Sequence, residues 1–96
     1  MVEYRFSPKA QTDIDAIFDY TATRWDLTPA LHYTGRIEEA CAKLAKTPRQ
    51  SQDCPAIAAG YRRLPVEQHV IYFRETSYGI AVIRILHQRM EVGLHL

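Results

Sequence analysis

The sequence lacks several features that define large classes of protein. Its 96 residues contain no apolar run near the roughly 20 residues that a membrane-spanning helix needs, and the amino terminus has no apolar export segment. The two cysteines, Cys41 and Cys54, have neither metal-binding nor redox-motif spacing. Twelve Lys and Arg residues against 11 Asp and Glu give a net charge of +1, far below that of a dedicated nucleic-acid binder. We therefore expect a cytoplasmic protein with reduced cysteines, no membrane association and no specific nucleic-acid binding.

Catalytic motifs are scarce as well. The chain has no phosphate-binding glycine loop, nucleophile elbow or zinc-ligand spacing, so we predict neither a cofactor nor a metal site. Among the four histidines, His87 is the one for which we weigh acid–base chemistry, because it ends a predicted strand where its side chain can reach solvent. His69 opens a strand, and we expect it to satisfy a backbone group. Arg62 and Arg63 are the groups that could bind a phosphate beside His87, although neighbours on a strand point to opposite faces. Arg84 interrupts an apolar strand, and we favour a buried structural pair with an Asp of the first helix.

The first half of the chain predicts a strand and two helices. Alternating Val2, Tyr4 and Phe6 indicate a short strand. Ser7-Pro8 is typical of a helix start, and the apolar stripe after it runs as far as Trp25. The same cap-and-proline signal recurs at Thr28-Pro29, and the second helix ends before Pro48. The short connection between them predicts an antiparallel helical hairpin. We expect Cys41, on the apolar face of the second helix, to be a small buried hydrophobe.

The second half predicts strands. Residues 48–60 are expected to form a loop, followed by strands at 61–64, 68–74 and 80–87. Pro65 is expected to separate the first two strands, and residues 75–79 to form the loop between the second and third. The last two strands are apolar on both faces, which favours a central position in the sheet. Residues 1–96 therefore predict one α+β domain of order β-α-α-β-β-β, with the helical hairpin packed on one face of a mainly antiparallel sheet.

A series of short motifs along the whole chain resembles the ParE toxins of bacterial toxin–antitoxin modules, in the RelE/ParE superfamily. They keep the order and spacing of that family from end to end. The motifs are Ser7-Pro8-x-Ala10, Asp13-Ile14-x-x-Ile17-x-x-Tyr20, Arg24-Trp25, Ala30 with Tyr33, Leu44-Ala45-x-x-Pro48, Gly60-Tyr61-Arg62-Arg63, His69-Val70-Ile71-Tyr72-Phe73-Arg74 and Ile83-Arg84-Ile85-Leu86-His87-Gln88-Arg89-Met90.

The resemblance implies a function. ParE toxins share the predicted element order, poison DNA gyrase and are held inactive by a ParD-like antitoxin, commonly in complexes with even numbers of each chain. The related RelE branch instead cleaves mRNA on the ribosome. Here the C-terminal stretch after His87 has no tyrosine or lysine to support that chemistry, so we expect a non-enzymatic gyrase inhibitor. A ribosome-dependent ribonuclease using His87, Arg62 and Arg63 is the alternative, and a non-toxic homologue that only binds antitoxin is a third.

The resemblance also implies two sets of contact residues. Toxicity in the family is associated with the C-terminal part of the chain, which gives the target-binding candidates Arg84, His87, Gln88, Arg89 and Met90. An antitoxin segment is expected to dock in a groove beside the first helix or to add a strand to the sheet. The candidates for that groove are Ile17, Tyr20, Thr21 and Trp25, with the alternative that Ile17 and Trp25 are core residues.

Overall fold

The structure is a computed structural model, which describes residues 2–54, 57–90 and 92–95. It confirms the predicted α+β architecture and the order β-α-α-β-β-β, with one short extra strand. The elements are β1 (Glu3–Phe6), α1 (Pro8–Arg24), α2 (Leu27–Lys46), β2 (Gln52–Asp53), β3 (Tyr61–Val66), β4 (His69–Thr76), β5 (Gly79–His87) and a 3-10 turn (Val92–Leu94). No helix in the described ranges is both long and apolar enough to cross a membrane.

The five strands form one sheet in the order β1-β5-β4-β3-β2. β1 runs parallel to β5 and the other neighbours are antiparallel, which confirms the mainly antiparallel sheet. β1 approaches β5 closely at Gly79, which lies opposite Glu3. A Cβ atom on Gly79 would lie 2.1 Å from the Glu3 carbonyl oxygen, and Gly79 has a φ of 139°. Only glycine therefore fits this position without moving the first strand.

Three predicted details of the strands are wrong. β3 continues through Pro65 to Val66 instead of ending at Leu64. β2 pairs only with Arg62 and Arg63, so Pro65 lies on a free edge of the sheet, where a missing backbone N–H is tolerated. β2 itself lies in the segment predicted as a loop, since two residues are too few to show an alternating pattern. The loop between β4 and β5 has two residues rather than five, because Thr76 pairs with Gly79.

The helix starts differ in how well they were predicted. Ser7 caps α1 as expected, with its hydroxyl accepting a hydrogen bond from the Ala10 amide at 3.0 Å. The predicted cap of α2 at Thr28 is wrong, because Asp26 caps the helix by accepting from the Leu27 amide at 2.8 Å. Pro29 then falls within the first turn, where backbone N–H groups have no intrahelical partner and a proline is harmless.

The main core lies between the hairpin and one face of the sheet. Ile14 and Ile37 of the helices pack there with Phe73 and Val82 of the sheet. Cys41 is fully buried in this core, as predicted, and burial raises the pKa of its thiol to about 12. The opposite face of the central strands carries a smaller buried cluster of Val70, Tyr72 and Leu86 with Cys54 packed against it. Both faces of β4 and β5 thus carry buried apolar side chains, which accounts for their apolar sequences.

Candidate partner-binding groove

A groove opens where the helical hairpin meets the ends of β4 and β5. Its volume is about 560 Å³. We call it the hairpin groove; its lining residues are Ala16, Ile17, Tyr20, Thr21, Arg24, Trp25, Pro29, Tyr33, Gln68, His69 and His87. The walls come from both helices and the floor from the paired strand ends, so the groove exists only in the folded chain.

One face of α1 supplies a whole wall of this groove. Ile17, Tyr20, Thr21 and Arg24 keep the three- and four-residue steps that place side chains on one side of a helix. Tyr20 is 63% exposed and Trp25, directly after the helix, is 68% exposed. The alternative that Trp25 is a core residue is therefore wrong, whereas Ile17 is half-buried and packs against the main core. The structure brings all four predicted antitoxin-contact residues into one groove.

Two histidines form part of the floor. His69 and His87 face each other across β4 and β5, with ring centroids 5.3 Å apart in an edge-to-face arrangement. His69 Nδ1 lies 2.6 Å from the Tyr33 hydroxyl, so the expectation that this ring satisfies a backbone group is wrong. The same hydroxyl accepts a hydrogen bond from the backbone N–H of Gln68 at 3.2 Å. Burial, followed by the neighbouring His87, lowers the pKa of His69 and so favours the neutral form of its ring.

The tautomer of His87 is set by its backbone contact. The Arg89 amide donates a hydrogen bond to His87 Nδ1 at 3.1 Å. Because Nδ1 accepts, the neutral ring carries its proton on Nε2. That nitrogen is a hydrogen-bond donor rather than a lone pair ready for a metal ion. Within the described parts of the chain, no three His, Cys, Asp or Glu residues are arranged to hold a metal.

The permanent charge at the hairpin groove is positive. Arg24 lies on its rim, with the guanidinium carbon 5.7 Å from the centre of the Tyr20 ring. A neighbouring hollow of about 460 Å³ shares Pro29 and Tyr33 with the groove. It adds His32, Arg36 and Glu67, and the last two form an exposed salt bridge of 2.6 Å. Among the described residues, none that lines the hairpin groove itself is acidic.

The predicted target-binding residues separate into two places. His87 lines the groove, and Gln88, Arg89 and Met90 form an exposed turn directly after β5, with Met90 48% exposed. Arg84 instead forms a salt bridge of 2.7 Å with Asp13 of α1, and both side chains are at most 15% exposed. This confirms the buried structural pair favoured from the sequence. The guanidinium of Arg84 stabilises the fold by binding Asp13.

The three groups of the ribonuclease alternative lie apart. Arg62 is 15% exposed and forms an ion pair with Asp53. It also donates to the Ser51 hydroxyl at 2.7 Å and to the Ser51 carbonyl at 2.8 Å. Arg63 lies beside the Tyr72 ring, on the sheet face that carries the smaller cluster. His87 is in the hairpin groove. The predicted opposite facing of the two arginines is therefore confirmed.

The sequence did not reveal Arg24 or the Tyr33–His69 pair as parts of this site. Arg24 occupies the step after Ile17, Tyr20 and Thr21 on the same helical face, so its spacing was a local signal for its position. Tyr33 and His69 are 36 residues apart, and only the packing of α2 on the end of β4 brings them together.

Comparison with known proteins identifies the class to which this fold belongs. The family described as the ParE toxin of the type II toxin–antitoxin system, parDE, matches residues 4–92. Toxin ParE1 of Mycobacterium tuberculosis is 38% identical over 94 residues, covering 97% of this chain and 96% of that protein. Toxin ParE1 of Caulobacter vibrioides is 33% identical over 96 residues, covering 100% and 99%.

A solved structure supports the same assignment. A chain from the chromosomal ParDE TA system of P. aeruginosa superposes with a TM-score of 0.76 at 27% identity, covering 91% of this chain and 96% of that one. The fold is thus that of the RelE/ParE superfamily. Within it, the chain belongs to the ParE toxins of type II toxin–antitoxin systems.

Proposed function

We propose that this chain is a toxin that binds and poisons DNA gyrase without an enzymatic reaction of its own, in the cytoplasm, and that a ParD-like antitoxin neutralises it by occupying the hairpin groove. The observation that carries the proposal is the convergence of Ile17, Tyr20, Thr21 and Trp25 on one open, largely apolar groove in a ParE family member. Exposed Tyr and Trp side chains are enriched in protein interfaces. The structural relative from P. aeruginosa is itself named as a ParDE system.

The geometry favours binding over RNA cleavage. Cleavage through the 2′-hydroxyl would need a base and cationic groups around one phosphate. His87 and Arg63 lie on different faces of the sheet, and Arg62 donates its hydrogen bonds to the 48–53 segment. A near-neutral chain would also bind ribosomal RNA weakly. The proposed contact with gyrase is the exposed turn after β5, at Gln88, Arg89 and Met90, together with His87.

His87 links the two proposed surfaces. It lines the hairpin groove and directly precedes the exposed turn of Gln88, Arg89 and Met90. An antitoxin segment in the groove would cover His87, so it would block the target contact by occupying the same space. We expect a complex containing even numbers of toxin and antitoxin chains, which light scattering would measure.

Expression without antitoxin tests the target. Gyrase poisoning predicts filamentous cells, a DNA damage response and intact translation, and the purified protein should trap gyrase–DNA cleavage complexes. Arg89→Ala should weaken both the DNA damage response in cells and the trapping of cleavage complexes by the purified protein. Arg49→Ala should weaken neither, because Arg49 is exposed and its surface ion pair contributes little to stability. Normal supercoiling at excess toxin would contradict the proposal. A rapid stop of translation without DNA damage would favour the ribonuclease, and no growth defect with intact antitoxin binding would indicate the non-toxic homologue.

Trp25 provides a direct test of the antitoxin site. It is the only tryptophan in the chain and stands exposed on the groove. Adding a purified ParD-like antitoxin without tryptophan should shift its emission to shorter wavelength as the ring leaves water. Tyr20→Ala should weaken binding roughly tenfold or more, as expected for an interface aromatic, whereas Val2→Ala, just before β1, should not. A tight complex with unchanged Trp25 emission would place the antitoxin elsewhere.

A further inference from the structure

The first strand forms an outer edge of the sheet with free backbone groups. β1 stands first in the strand order, and among the described strands only β5 pairs with it. The backbone N–H of Glu3 donates to the Tyr78 carbonyl at 2.8 Å and that of Ser7 to the Val82 carbonyl at 2.9 Å, so the odd-numbered residues direct their backbone groups toward β5. The N–H and C=O groups of the even-numbered residues therefore point away from the sheet.

The charged side chains of β1 restrict which strand can pair with this edge. Unpaired backbone groups on an edge strand are a template for another strand, and charges that face each other decide whether the pairing is favourable. Glu3 and Arg5 form a salt bridge of 2.6 Å in which both side chains are more than half exposed. They share one face of the strand, because they are two residues apart. Tyr4 and Phe6 point to the other face, where they pack against the main core.

Two copies of β1 fit each other in one antiparallel register. A two-fold axis must pass through Glu3, Tyr4 or Arg5 if the free groups of both copies are to meet over more than a single residue. An axis at Glu3 or at Arg5 sets that residue directly against its own copy, and like charges then repel. With the axis at Tyr4, each Glu3 lies opposite the second copy's Arg5, and the overlap of the two strands is also the longest.

We propose that two copies of this chain associate through β1, antiparallel and centred on Tyr4, which joins their five-stranded sheets into one. Tyr4 exchanges backbone hydrogen bonds with its own copy, and Val2, which is 50% exposed, exchanges them with Phe6. Each Glu3 carboxylate then lies between the Arg5 of its own chain and that of the other. No residue of β1 belongs to the described lining of the hairpin groove, so that groove stays open in both copies.

Sedimentation velocity of the purified full-length toxin tests the association, and amide hydrogen exchange tests its place. We expect a dimer with a dissociation constant on the order of 10 µM. The backbone N–H of Tyr4 should exchange fast in the monomer, where it faces water, and slowly at concentrations that favour the dimer. A protein that stays monomeric at about 1 mM would overturn the proposal. A dimer in which the Tyr4 N–H stays unprotected would overturn it as well.

Charge reversal tests the register. Glu3→Arg and Arg5→Glu should each weaken self-association roughly tenfold or more, because each sets like charges opposite one another at both ends of the contact. The two variants mixed should form a dimer about as tight as that of the parent, since every reversed charge then faces an opposite one. Combining both changes in one chain should also restore self-association. A mixture that associates no better than either variant alone would overturn the register.

A control and a competing occupant complete the test. Arg36→Glu reverses an equally exposed salt bridge of 2.6 Å, with Glu67 between β3 and β4, and should leave the dimer unchanged. If the Tyr4 N–H gains protection only when a ParD-like antitoxin is added, in a complex with a single toxin chain, the edge belongs to the antitoxin and the proposal is overturned. The Trp25 emission and gyrase experiments do not depend on this contact, so a failure here leaves the proposed function standing.

Discussion

Asp13 holds Arg84 across the junction of α1 and β5, accepting from Nε at 2.7 Å and from Nη2 at 2.8 Å. The same carboxylate accepts the Ile85 amide at 2.9 Å. β1 pairs with β5 only as far as Val82, so the Ile85 amide lies on a free edge of the sheet. The Asp13 carboxylate takes the place of the carbonyl that a longer β1 would have offered to this amide. Arg84 Nη1 also donates to the His95 carbonyl at 2.5 Å. This pair therefore joins the first helix, the last strand and the C-terminal segment.

Replacing Asp13 by Asn should lower the free energy of unfolding by roughly 3 kcal/mol, because it leaves the guanidinium of Arg84 buried and without its counter-charge. Urea denaturation measures the change. Asp15→Asn, on the exposed side of the same helix, is the control and should cost less than about 0.5 kcal/mol. Adding Arg84→Met to Asp13→Asn should restore part of the loss. Equal effects of Asp13→Asn and Asp15→Asn would refute the structural role of the pair.

Arg62→Lys should destabilise the protein although it keeps the charge. Arg62 donates to the hydroxyl and carbonyl of Ser51 and pairs with Asp53, a set of directions that one ammonium group cannot reproduce. We expect a loss of about 1–3 kcal/mol in urea denaturation. Toxicity per folded molecule should stay unchanged. Loss of toxicity at full thermal stability would instead support a phosphate-binding role for Arg62.

Two glycines should respond in opposite directions to alanine. Gly79→Ala would place a Cβ atom 2.1 Å from the Glu3 carbonyl at a φ of 139°, so we expect a loss of roughly 3 kcal/mol or failure to fold. Gly35→Ala has open space around its Cβ within α2 and should gain about 0.5–1 kcal/mol. Thermal melting of the two variants beside the parent would test both signs, and a neutral Gly79→Ala would disprove the close approach of β1.

Acid should lower the stability of the protein through protonation of His69. Its pKa is lowered in the folded state by burial and by His87, so between its unfolded value of 6.5 and its lower folded value the unfolded chain binds more protons. Stability from this group is therefore complete above pH 6.5 and falls as the pH drops below it. His69→Gln should lose less stability than the parent between pH 7 and pH 5, and His32→Gln, on an exposed helix position, should match the parent. Parallel curves for parent and His69→Gln would contradict this.

Local signals in the sequence were enough for much of the fold. Ser7-Pro8 predicted the start of α1 because a hydroxyl cap followed by proline suits a first turn whose amides lack partners. The spacing of Ile17, Tyr20 and Thr21 placed them on one face of that helix, and the structure shows this face at a groove. Errors arose where tertiary contacts override local preference, as at Pro65, which an edge position tolerates within β3.

Periodicity and motif order are local properties of the chain, so they were sufficient to determine the order of the elements other than β2, the burial of apolar side chains on both faces of β4 and β5, and membership of the ParE toxins. The facing of His87 was decided by tertiary structure alone. Tyr72 lies opposite Arg84 while Phe73 lies opposite Val82, so Ile83 is an extra residue in β5 and reverses the facing of the residues after it. Since Val82 and Ile83 are both apolar, alternation gave no sign of this bulge. Only the pairing of β5 with β4 in this register puts His87 beside His69 in the hairpin groove.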